Sequence, residues 1–313
     1  MPSLSYLLAR LVQIVPTFLL VMVFIFLLVR LLPGDPAIAM AEAKATDAQI
    51  EQIRRNLGLD QPLPVQFVVF VKNTLTGDLG RSIMLKAPVA DVIVDRLPTT
   101  IFLALYSVVL AICLAGPLAF LAAARANGAV DITIRSIFQV GLSMPVFYIG
   151  LLLLTVLAAK LRLFPVGGYG ETFLDNLYHL ILPALSVALY TSAIILRNLR
   201  ASLIEVLDAE YVQFARAKGL SPRIIMTRHV LRNAMVSTVT LLGLSIGNLM
   251  SGTLVTETVF AVPGVGRLML EAIFARDYPL IQGLTLTFAV LVSVVFLLTD
   301  VVQSWLDPRL RQS

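Results

Sequence analysis

Long uncharged runs alternate with short charged segments along this chain. The runs bounded by charged residues are 11–29, 97–124, 136–159, 176–196, 233–256 and 278–299. Each approaches or exceeds the roughly 20 residues needed to cross a hydrocarbon core of about 30 Å at about 1.5 Å per residue. In lipid, such runs satisfy their own backbone hydrogen bonds only as helices. The pattern predicts an all-α membrane protein with six transmembrane helices. The first run carries Arg10 at its start, and Ala39-Met40-Ala41 resembles a cleavage site. Its apolar core is nevertheless longer than the about 7–15 residues of a signal peptide. Arg30 closes its far end, where a long cationic side chain can snorkel. It is read as an uncleaved first span.

Composition strengthens this picture. Hydrophobic residues make up 58% and charged residues 14%, against roughly 25% charged in an average soluble domain. Mean hydropathy is +0.90. A net charge of +5 raises nucleic acid as a partner, but the basic residues lie between apolar runs instead of beside aromatics on a soluble face. No nucleic acid is expected. The charge is topological. Six spans put both termini on one side, and placing that side in the cytoplasm gives 12 Lys and Arg in the short inner loops against 4 in the short outer ones. That ratio predicts cytoplasmic N and C termini. Cys113, the single cysteine, allows neither an internal disulfide nor a metal cluster.

Three parts follow. Residues 1–32 hold the first span, 33–97 form an extracytoplasmic segment with short helices, and 98–313 form a five-helix core with a cytoplasmic loop at 198–234. In the outer segment, Pro33-Gly34-Asp35-Pro36 stops a helix. Residues 46–57 read as a helix with Thr46 or Asp47 at its start and Gly58 at its end. Val65–Leu75 and Val89–Leu97 suit short helices lying on the outer surface or packed over the channel mouth.

Loop 198–234 carries the most information. Residues 209–218 favour a helix that Gly219 can close in the left-handed conformation. Ser221 can cap a second helix with Pro222 at its first position, where the missing N–H costs nothing. A helix–turn–helix with small residues at its turn is suited to docking in a partner's groove. An amphipathic helix pair at the headgroups fits the same residues.

Span five carries polar residues at three- and four-residue spacing: Ser245, Asn248, Gly252 and Thr256. They make one helical face, a candidate for lining a translocation path or for packing on a neighbour. Gly243 and Gly247 allow a helix to approach closely. Glu257, with the turn at Pro263 and Gly264, is a candidate outer gate, or a partner for a base such as Arg267. Pro117, Pro145 and Pro183 can bend their spans. No G-x-x-x-x-G-K-[ST] phosphate loop or H-E-x-x-H motif occurs, so no catalytic, cofactor or metal residues are expected.

Several motifs, in order, carry a resemblance. Leu32-Pro33-Gly34-Asp35-Pro36 follows the first span, and Gly77-Asp78-Leu79-Gly80-Arg81-Ser82 lies in the outer segment. Glu210-Tyr211-Val212-Gln213-Phe214-Ala215-Arg216-Ala217-Lys218-Gly219-Leu220, then His229-Val230-Leu231-Arg232-Asn233-Ala234, occupy the inner loop. Thr256 to Phe260, Pro263 to Arg267 and Arg276-Asp277-Tyr278-Pro279 follow. Together they resemble the permease subunits of ABC importers, in the dipeptide, oligopeptide, glutathione and nickel branch. The broad importer pattern has Glu-Ala-Ala where this chain has Gln213, Phe214 and Ala215, and Leu-Pro where it has Leu231-Arg232; the peptide branch is similar to this chain at both places.

The resemblance implies a type I permease fold and a bacterial inner-membrane location. It implies a coupling site for ATPases at Glu210, Ala215, Arg216, Ala217, Lys218, Gly219, Leu220, Ser221, Pro222 and His229. The implied partners are a second, homologous permease subunit, two cytoplasmic ABC ATPases that hold the ATP and magnesium, and an extracytoplasmic substrate-binding protein. Peptides are the commonest implied substrate, with glutathione or a nickel chelate as alternatives. An ion-coupled secondary transporter is the competing class; it calls for carboxylates inside the spans, and the six apolar runs contain none.

Overall fold

A computed structural model of the chain describes residues 4–31, 38, 46–56 and 58–306. The Leu32 to Pro36 motif lies outside these residues. The described chain is helical: α1 (Leu4–Leu31), α2 (Asp47–Asn56), α3 (Leu63–Leu75), α4 (Val89–Ala124), α5 (Ala129–Ser143), α6 (Val146–Leu153), α7 (Phe173–Asp208), α8 (Glu210–Ala217), α9 (Pro222–Ile224), α10 (Arg232–Val259), α11 (Val265–Phe274) and α12 (Tyr278–Leu306). π-helical turns extend α6 through Lys160 and join α9 to α10. Among the described residues, five helices are long and apolar enough to cross a bilayer, and α5 with α6, counted as one broken span, makes six.

The third span departs from the straight helix that an uncharged run of 24 residues suggests. Its two halves meet at 101°. Met144 is extended and Pro145 follows it, because a proline pushes the preceding residue out of the helical region and removes a donor. Span four shows the opposite. Pro183 lies inside α7, which still runs 36 residues from Phe173 to Asp208.

Two boundaries also move. Val89–Leu97 is no separate surface helix. It is the start of α4, so the division expected at 97/98 falls inside one continuous helix. The second inner-loop helix is not free-standing either, because α9 runs through its π-helical turn into α10.

The small outer helix forms as its sequence dictates. The Thr46 backbone N–H donates to Gln49 Oε1 at 2.8 Å, while Gln49 N–H reaches back to the Thr46 hydroxyl at 3.4 Å. This is a reciprocal capping box. Gly58, at φ 65°, closes the other end.

α7 is the centre of the bundle. Ala184, Ala188 and Leu196 are buried on it, and α4 packs along it with Ala111, Ala115, Ala119 and Ala122, all at 0% exposure. Small side chains at this repeat let two helices approach closely. Gly243 and Gly247 of α10 serve the same purpose against α12. A Cβ at Gly243 would lie 2.3 Å from Thr299 Oγ1, and one at Gly247 would lie 3.3 Å from the Phe296 ring.

Candidate functional site

Opposite ends of α10 carry the two groups of candidate residues. At its first end stands the α8–α9 pair. α8 closes as expected: Gly219 adopts φ 75°, its N–H donates to Arg216 O at 2.9 Å, and Leu220 N–H donates to Ala215 O at 3.3 Å. These two bonds are the Schellman closure that requires a residue able to adopt the left-handed conformation. Pro222 takes the first position of α9. Ser221 sits at the cap, but its hydroxyl makes no capping bond, and its backbone carbonyl accepts from Ile225 N–H at 3.1 Å.

The pair is rooted in the bundle. Val212, Ala215, Ile225 and Val230 are buried in a cluster with Leu199 and Leu203 of α7 and Ala119 and Ala122 of α4. Ala215 therefore faces inward, under the turn. Its smallness lets α8 lie close to the bundle. Asn233 Nδ2 ties the two helices by donating to Tyr211 Oη at 3.1 Å and to His229 O at 2.7 Å. His229 is half-buried at this joint. Arg232 anchors the base of α10 to the end of α12, with Nε donating to Leu306 O at 3.3 Å. Gln213, where the broader importer pattern has a carboxylate, donates to Asp208 O at 3.1 Å and bridges α7 to α8.

The outward face is different. Arg216, Ala217, Gly219, Ser221 and Pro222 are exposed, together with the apolar Phe214, Leu220 and Ile224. Phe214 is 62% exposed, with Lys218 Nζ 4.6 Å from its ring centroid. Arg216, Arg223 and Arg228 make no side-chain hydrogen bond or ion pair among the described residues. Glu210 lies in the first turn of α8, where a carboxylate favours the helix dipole. An exposed aromatic and two aliphatics thus lie beside cations that have no ion pair among the described residues, the kind of mixed patch that marks interaction surfaces in general.

The far end of α10 is closed. Glu257 is 0% exposed. Its Oε1 accepts from Thr100 Oγ1 at 2.7 Å, and its Oε2 accepts from the backbone N–H of Arg267 at 2.9 Å. Thr100 in turn accepts from Val265 N–H at 2.9 Å. The Arg267 guanidinium does not pair with Glu257, as a simple base partner would; it bonds Glu271 at 2.8 Å. Gly264 and Gly266 let the turn wrap the carboxylate, since a Cβ at Gly264 would lie 2.4 Å from Glu257 Oε2. Pro263 precedes this turn, in which Gly264 N–H donates to Val262 O.

A second acidic anchor lies close by, and its role is not evident in the sequence. Buried Asp277 accepts from Ser82 Oγ at 2.6 Å and Met84 N–H at 3.0 Å, and also caps the start of α12 at Leu280 N–H. It joins residues 195 positions apart. Nothing in the sequence signals this pairing beyond the placing of Ser82 and Asp277 in two of the quoted motifs, Gly77 to Ser82 and Arg276 to Pro279.

Of the span-five face, Thr256 is buried and Ser245 half-buried. The side chain of Asn248 and the burial of Gly252 are not described.

Two family models cover the chain: the N-terminal part of a binding-protein-dependent transport system membrane component over residues 3–104, and the binding-protein-dependent transport system inner membrane component over residues 115–312. The chain belongs to this family of ABC importer permeases. The permease is 40% identical to a probable peptide ABC transporter permease protein, y4tP, of Sinorhizobium fredii, over 98% of this chain and 99% of that one. It is 38% identical to the glutathione transport system permease protein GsiC of Escherichia coli K12, with the same coverage. Among solved structures it is similar to an inward-facing form of the MetNI methionine ABC transporter. The TM-score there is 0.57 at 15% identity, over 69% of this chain and 96% of that one. At that identity the likeness shows the fold, which is the importer permease bundle.

Proposed function

We propose that this permease is one transmembrane subunit of an ATP-driven importer of di- and oligopeptides, with both termini in the cytoplasm of a bacterial cell. The α8–α9 pair is its coupling site. A second, similar permease completes the pathway, two ATPases dock on the exposed face from Phe214 to Ile224, and an extracytoplasmic binding protein delivers the substrate. The likeness to a protein named as a peptide ABC transporter permease favours this reading over the ion-coupled alternative.

The observation that carries the coupling role is the contrast within α8. Val212 and Ala215 bind it to the bundle, while Phe214 and Arg216, with Lys218 just past its end, face outward, and neither cation has an ion pair among the described residues. A helix rooted in this way transmits the movement of whatever grips its other face. ATP-driven closure of the docked subunits would therefore pull α7 and α10 together through Leu203 and Val230.

The peptide reading rests on the y4tP likeness across the full chain. Glutathione, itself a peptide, is the second reading and rests on the GsiC relatives. Uptake assays in proteoliposomes separate them. The complete complex is expected to accumulate a labelled dipeptide only with ATP and binding protein present, and to prefer it over glutathione. Uptake without ATP would overturn the coupling role, and preference for glutathione would overturn the substrate.

A further inference from the structure

The broken third span holds features that the coupling role leaves unused. α5 and α6 part at Ser143 to Pro145, in the middle of the uncharged run 136–159, and Ser143 and Pro145 are exposed. Non-helical backbone at membrane depth persists only where protein buries it or water lines it. On α5, the side chains of Ser136, Gln139 and Ser143 recur at three- and four-residue spacing and are all exposed, so they share one face, with the exposed apolar Ile132 and Val140 beside them. An amide facing acyl chains is costly. Toward the coupling end this face opens on a cavity of about 540 Å³ between α5 and α7. That volume lies in the range of about 300–1,000 Å³ that holds small ligands.

The cavity carries surplus positive charge. Arg135, Arg197 and Arg200 line it, with Ser136 and Gln139. Buried Asp131, beside it, is held by Arg200 through both oxygens, at 2.6 and 2.5 Å, and stands 3.3 Å from Arg135 Nε. Two guanidinium groups thus share one carboxylate, and Arg197 adds a third positive charge to the lining. Arg197 is exposed, and like the side chains of Ser136 and Gln139 it makes no hydrogen bond or ion pair among the described residues.

We propose that the Ser136–Gln139–Ser143 face is a water-lined track, and that Arg135 and Arg197 form an anion-selective mouth at its coupling end, suited to solutes bearing a carboxylate. The planar fork of a guanidinium matches a carboxylate in two-point contact. A peptide carries that group at its C terminus, so the inference gives the import reading a chemical selectivity, and it rests on that reading for its direction. A phospholipid headgroup on the same arginines would leave Gln139 and Ser143 against its acyl chains, and is the less favoured occupant.

The test needs no known substrate. Single cysteines replace Ser136, Gln139 and Ser143 in a Cys113→Ser background, and the assembled transporter is placed in inverted membrane vesicles. Two water-soluble thiol reagents are compared, the anionic sulfonatoethyl and the cationic trimethylammonioethyl methanethiosulfonate. All three cysteines are expected to react. The anionic-to-cationic rate ratio at position 139, normalised to a free thiol, should be raised about tenfold by two nearby positive charges. Arg197→Gln, at a side chain with no structural partner, should lower that ratio severalfold. Failure of positions 139 and 143 to react from either side of the membrane, as lipid or a packed subunit would cause, overturns the track. A ratio unmoved by Arg197→Gln overturns the mouth. Failed peptide uptake beside normal labelling would overturn the peptide reading and leave the track standing.

Discussion

The two ends of α10 use polar residues in opposite ways. At the far end, Glu257 and Asp277 are fully buried, and their oxygens hold Thr100, Arg267 N–H, Ser82 and Met84 N–H. At the coupling end, Arg216 and Lys218 face outward and meet no acid among the described residues. Buried polar groups tolerate few unmade bonds, so the far end is bonded to itself and holds its loops fixed. The coupling end leaves bonding capacity for another molecule. Polar residues that look equally functional in the sequence thus divide into internal fasteners and external contacts.

Substitutions separate the two classes. The largest effect is expected at Asp131, which lies toward the coupling end but is buried, so burial and not location governs the outcome. Asp131→Asn leaves the Arg200 guanidinium without its counter-charge, at a cost of about 3–5 kcal/mol; thermal denaturation of the purified permease in detergent would show it. Glu257→Ala comes next. It strands the Thr100 hydroxyl and the Arg267 N–H, at about 1–3 kcal/mol for each unsatisfied group, and the same assay reads the loss. Gly264→Ala should mimic it, because the added Cβ meets the carboxylate.

Asp277→Ala should cost a comparable amount, about 1–3 kcal/mol for each group it strands, and release the Ser82–Met84 segment, so limited proteolysis should cut there faster than in the wild type. Leu220→Asp should leave the denaturation midpoint nearly unchanged, since exposed substitutions usually fall within about 0.5 kcal/mol, while weakening retention of the ATPases. A Leu220→Asp protein that is destabilised as much as Glu257→Ala would erase the distinction between the two ends.

Much of this was legible in the sequence. The charge gaps located the apolar cores because a charge cannot lie unpaired in hydrocarbon. Gly219 and Pro222 marked the turn between α8 and α9 because few residues suit those backbone positions. The charge pattern could not show that Val89–Leu97 continues into α4, since Asp91, Asp95 and Arg96 interrupt the apolar run without interrupting the helix. Nor could it show that Pro145 breaks its span by 101° while Pro183 leaves α7 continuous. A proline removes one hydrogen bond in either case, and packing around it decides whether the helix survives. The long-range pairs Ser82–Asp277 and Thr100–Glu257 follow from the packed fold and have no local signature. Ala215 illustrates the same limit: its motif position suggested the docking face, and the structure turns it into the core.

The central claim is that the α8–α9 face grips the ATPase subunits. Co-purification of those subunits with tagged permease tests it most directly, comparing the wild type with Gly219→Asp. The variant places a carboxylate at the exposed turn and a side chain on a backbone at φ 75°. The account predicts that the variant inserts in the membrane but loses the ATPases. A variant that keeps both the ATPases and ATP-dependent uptake would contradict it.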